Sequence, residues 1–157
     1  MSAADLPSLL EQYRAGLEAE IALLQQLHAI ANRQRERTAA RDFEQFAVES
    51  DARDRLTRSL VNIEQGLRTI RDSLILGRAD LVQLPAYQSA MALRQTAADL
   101  VASIQATDQQ SMRALADAEL ARKAAVSSLE RGETTLAAYR KVIAPPVLSA
   151  ALLDRRG

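Results

Sequence analysis

Few side chains in this 157-residue sequence could carry covalent or metal chemistry, and their spacing argues against both. His28 is the only histidine. It stands beside Leu24 and Leu27, at the edge of an apolar stripe, where a packed boundary residue is expected. The Glu-x-x-His pattern of carboxylate-bridged di-iron bundles is missing, because Gln25 occupies the acidic position. There is no cysteine, which excludes disulfides, zinc thiolates and thiol redox chemistry. A transition metal would need carboxylates alone, and the sequence places no acidic cluster inward. The five glycines, Gly16, Gly66, Gly77, Gly132 and Gly157, are scattered, so no glycine-rich loop can cradle a phosphate. Nothing sets a serine beside a base and an orienting acid. The expectation is a protein that is no enzyme and takes no cofactor and no metal.

The charges point the same way. Acidic and basic residues number 20 each, which argues against a nucleic-acid partner, because phosphate binding needs a basic excess or a basic face. Arg33, Arg35, Arg37 and Arg41 form a basic run, but no aromatic residue interleaves it. Glu36, Asp42 and Glu44 lie close by. A solvated helix end accounts for the run better than an RNA or lipid surface does.

The elements that position these residues are helices. Apolar residues make up 48% of the chain and aromatics only 3%, a balance of Ala and Leu that suits thin helical cores. A first helix is expected over about residues 6–40. Pro7 suits an early helical position, and Ser8 and Glu11 have capping-box spacing. Leu10, Tyr13, Leu17, Leu24, Leu27 and Ala31 follow steps of three, four or seven. Gly16 interrupts them at a cost of up to about 1 kcal/mol. Asp42, with Gln45 three residues on, is an acceptable cap for a second helix over about 42–76. No Gly or Pro marks the boundary between Thr38 and Phe43, so one continuous helix is the alternative there. Leu56, Leu60, Ile63, Leu67, Ile70 and Leu74 keep a strict four-three repeat, with Glu49 and Arg53 on the same seam upstream. Gly77, Asp80 and Pro85 then predict a loop.

A proline-free stretch from Ala86 to Ile143 predicts a third, much longer helix, which Pro145 and Pro146 stop. Unbroken, it would reach roughly 85 Å. Its seam runs through Ala97, Val101, Ile104, Ser111, Leu115, Leu129, Leu136 and Tyr139. Asp108 and Arg122 fall on the same seam. Either a register shift turns them outward, or the seam is not permanently buried. Gly132 is either a flaw in this helix or a hinge. The tail, residues 144–157, is apolar from Val147 to Leu153 and ends in charges.

The expected architecture is all-α: an antiparallel helical hairpin plus a long third helix, in a single domain over 1–157. The hairpin helices match in length, and the third helix would outrun them beyond about Leu120. Val126, Leu129, Leu136, Tyr139 and Ile143 are then the candidate partner-binding residues, a stripe for a client helix to cover. No window approaches 18 uninterrupted apolar residues, so no membrane span is expected. Met1 to Leu10 lacks the basic and apolar regions of a secretory signal. The expected location is the cytoplasm.

Three stretches resemble the FlgN-like export chaperones of flagellar type III secretion. One is Asp42-Phe43-Glu44-Gln45-Phe46 followed by Arg53-Asp54-Arg55-Leu56. The second, Ile104 to Met112, is similar to the polar segment that interrupts the third helix of that family, with Asp108 and Gln109 where asparagines are usual. The third is Tyr139, placed like the family's tyrosine near the C-terminus. The resemblance implies a long α-hairpin with an extended third helix. It also implies binding to hook-associated (hook–filament junction) proteins and to the export gate, by a monomer or weak homodimer. The alternative is a structural coiled-coil protein that self-associates through the long helix.

Overall fold

The computed structural model describes residues 5–143, and the side chains of residues 5–140. Its elements are all helices: α1 Leu6–Ala39, α2 Phe43–Leu76, α3 Arg78–Leu81 and α4 Pro85–Ile143. No strand occurs among the described residues. The chain forms two compact units, Met1–Ala114 and Leu115–Gly157.

Local signals set most helix ends. α1 starts at Leu6 with Pro7 in its first turn, so Ser8 lies inside the helix and does not cap it. Its C-terminus closes with the Asp42 amide donating to the Arg37 carbonyl (2.8 Å) and the Arg41 amide to the Thr38 carbonyl (3.1 Å). That is the Schellman pattern, with Arg41 at φ 56° where glycine is usual. The chain therefore breaks between Thr38 and Phe43, and the continuous-helix alternative does not hold. The Asp42 carboxylate then accepts from the Gln45 amide (3.2 Å) and opens α2. Gly77 ends α2, and the expected loop holds one turn of helix, α3, before Pro85 opens α4.

Within the first unit α1 and α2 are each 34 residues long and pair antiparallel. Leu6 lies against Gly77 at one end, and Arg33 meets Glu49 at the other. The early part of α4 runs beside both. Leu10, Leu74 and Ala90 share one core cluster, and Leu24 and Ala97 share the next. α1 is the most enclosed element. Among its buried positions, Leu6, Leu10, Tyr13, Leu17, Glu20, Leu24, Leu27, Ala31, Gln34 and Thr38 form an unbroken four-three repeat, with Ile21 and Ile30 buried beside it. On α2 only Leu67 and Leu74 are fully buried. Leu60, Ile63 and Ile70 of the α2 four-three repeat are half-buried. The core clusters draw more fully buried side chains from α1 than from α2, so the repeat of α2 reads clearly in sequence yet encloses less.

Gly16 is more than an interruption. A Cβ built there would collide with Leu67 Cδ2 and lie 3.0 Å from its Cγ, so the missing side chain is the seat of Leu67. Gly66 has open space on the same test. Gly66→Ala is therefore expected to stabilise by about 0.5–1 kcal/mol through helix propensity. Gly16→Ala is expected to destabilise, because overpacking costs about 1–3 kcal/mol against that same gain. Thermal melts of the two variants check this; a rise in both would mean that Leu67 moves aside freely.

Candidate partner-binding site

Two polar layers cross the first unit, and both sit on seam positions. The first joins three helices. Gln34 of α1 donates to Ser50 Oγ (2.9 Å) and accepts from Arg53 Nη1 at its Oε1 (3.0 Å). Arg53 also grips Asp108 of α4 with both terminal nitrogens, Nη1 to Oδ1 at 2.7 Å and Nη2 to Oδ2 at 2.5 Å. The bidentate fork fixes geometry as well as charge. The Asp108 hydrogen bond raises the Arg53 pKa above its ordinary value, against the opposing effect of burial. Arg33 adds a bond to Glu49 (3.2 Å), and Arg35 one to Gln110 (3.4 Å). Arg33, Arg35 and Arg41 are all exposed, so these bonds lie at the surface of a solvated helix end. Asp108 stays on the seam because Arg53 meets it there. The arginine stretch and the polar α4 segment noted in the sequence come together in this one pair.

The second layer is centred on Glu20, which is 7% exposed. Its carboxyl is pushed up to about 8, first by burial, then by the hydrogen bond and charge of Glu64, with Arg71 opposing. Glu64 runs the other way, held low by Glu20 and by Arg71, whose Nη2 donates to it at 2.7 Å. Near neutral pH Glu20 keeps its proton and donates it to the Glu64 carboxylate. The Arg71 guanidinium also lies 5.9 Å from the centroid of the Tyr13 ring. Glu20 and Gln34 are not among the residues that the apolar pattern of α1 singles out. Extending the four-three count of α1 through its polar positions would have found both.

The second unit carries the candidate binding residues. Its described part is the continuation of α4, rich in Ala, Leu, Arg and Glu and so a strong helix former. Residues 121–140 are all exposed. Val126 is 41% exposed, Leu129 74%, Leu136 66% and Tyr139 60%. Their spacing of three and seven residues sets them on one helix face. The backbone of Ile143 ends α4, and its side chain lies outside the described residues, as does the tail from 144 to 157. Arg122 is exposed and paired with Glu119 (Nε to Oε2, 3.0 Å), so it is no buried seam charge. α4 passes through Gly132 without a break. Among the described residues no group of acidic or histidine side chains could hold a metal ion, and no helix is long and apolar enough to cross a membrane.

Comparison of the chain with protein-family models, curated proteins and solved structures gives no match.

Proposed function

We propose that this chain is a cytoplasmic, non-enzymatic export chaperone of the FlgN-like kind. It binds a helical segment of a hook–filament junction protein and presents it to the type III export apparatus. The observation that carries the reading is the exposed stripe on α4, Val126, Leu129, Leu136 and Tyr139. Each such side chain that a partner buries is worth roughly 1.5–3 kcal/mol. An amphipathic client helix uses anchors at this spacing. Support also comes from the separate break, cap and polar layer at Asp42, Arg53 and Asp108, the stretches that resemble the chaperone family.

The test substitutes Leu129→Asp and Leu136→Asp in the full chain and measures binding to hook–filament junction proteins. Both positions are exposed, so helicity should persist while affinity falls by about a hundredfold or more. A truncation after Leu120 keeps every buried residue of the first unit and should lose binding likewise. Unchanged affinity in both variants would place the site elsewhere. If the full chain binds none of these clients and forms a tight dimer that the substitutions dissolve, the structural coiled-coil reading replaces this one.

A further inference from the structure

A cavity of about 360 Å³ opens in the first unit, where α1, α2, α3 and the start of α4 meet. Leu10, Leu74, Leu81 and Met91 give it an apolar lining. Arg71, Arg78 and Arg94 also reach it, and no carboxylate lines it. Arg71 is balanced by Glu64. Arg78 and Arg94 have no ion-pair partner among the described residues. The size is at the lower end of the roughly 300–1,000 Å³ typical of small-molecule sites, which likewise combine apolar walls with a few placed charges.

We propose that this cavity binds a small monocarboxylate with an apolar body, the hydrocarbon lying against Leu10, Leu74, Leu81 and Met91 and the carboxylate on Arg78 and Arg94. Charge complementarity selects the head group. Both arginines are exposed and carry no ion pair among the described residues, and their planar forks suit a carboxylate, with which an uncharged head group could form no charge-assisted pair. The lining selects the body: Leu10, Leu74, Ile75, Leu81 and Met91 form an apolar wall, and the polar side chains beside it are the three arginines with Tyr13 and Tyr87. None of these residues belongs to the α4 stripe, so this site stands or falls apart from the chaperone reading.

Decanoate is the probe, added to the full chain carrying ¹³C-methyl methionine. Met91 lines the cavity, and Met112 is exposed elsewhere on α4 and serves as the control. The Met91 resonance should move saturably while that of Met112 stays. The midpoint should rise at least about tenfold for the Arg78→Ala/Arg94→Ala double variant, and by a similar factor when decanol replaces decanoate. If the double variant loses its helical circular dichroism, Arg94→Gln alone carries the comparison. A Met91 resonance that stays still at every concentration below the micellar limit would overturn the proposal. So would equal binding of decanol, or equal movement of Met112.

Discussion

Replacing Leu67 by alanine is expected to destabilise the protein by about 2–5 kcal/mol. Leu67 is 2% exposed and belongs to the core cluster of Leu10, Tyr13, Leu17 and Leu74. Its Cδ2 fills the place where Gly16 has no side chain, so α1 and α2 approach closely at that point. Truncation would remove the buried methyl groups and leave a cavity between two helix backbones. Long helices held by partners on both sides cannot easily collapse into such a gap, which puts the cost toward the upper part of the range. Ile70, one turn along the same seam, is half-buried, and Ile70→Ala should cost clearly less. Urea denaturation of the two variants measures the difference. An equal loss for both would mean that burial along α2 is uniform and that Gly16 seats nothing.

The second large effect is a dependence of stability on pH centred on Glu20. The folded protein holds the Glu20 proton up to about pH 8, whereas an ordinary glutamate releases it near 4.5. The stability linked to that proton is fully present below the unfolded value and is lost as pH rises through about 8. Glu64, whose pKa is lowered, contributes in the opposite sense. Its share is present above the ordinary glutamate range and disappears as pH falls through its depressed value. Stability should therefore peak at mildly acidic pH. It should fall by on the order of 3 kcal/mol as the pH passes from there to beyond 8. In Glu20→Gln an amide can donate to Glu64 at any pH, so the alkaline fall should vanish while the acid limb remains. Thermal melts of both proteins between pH 5 and pH 9 would decide it, and an alkaline fall of equal size in Glu20→Gln would assign the proton to another group.

The two polar layers account for how seam positions tolerate such residues. A lone charge on the seam would be costly, but each one here has partners from another helix. Arg53 serves Gln34 and Asp108 at once, and Glu64 serves Glu20 and Arg71. A hydrophobic seam can slide by a heptad at little cost. A bidentate pair between α2 and α4 cannot, so Arg53 and Asp108 fix the register of the early part of α4 against the hairpin.

The helices themselves were legible in the sequence, because helix formation is local. The hydrogen bonds close within four residues, and the stop signals are single residues read in place. Asp42 caps α2, Gly77 ends it and Pro85 opens α4, each where the sequence predicted a boundary. The exposed leucines of α4 were also legible as a stripe, since their spacing alone sets them on one face. Tertiary structure decided what distant residues settle together. That α1, interrupted by Gly16 and carrying Glu20 and Gln34, is the enclosed helix could not be read from its own residues. Its glycine is explained by Leu67, its glutamate by Glu64 and its glutamine by Ser50 and Arg53. Asp108, which its own helix leaves either turned outward or on a seam not permanently buried, is met by Arg53, 55 residues away. Burial and pairing depend on which surfaces meet, and a one-dimensional period fixes only the face that a helix offers, not the side chains that arrive to cover it.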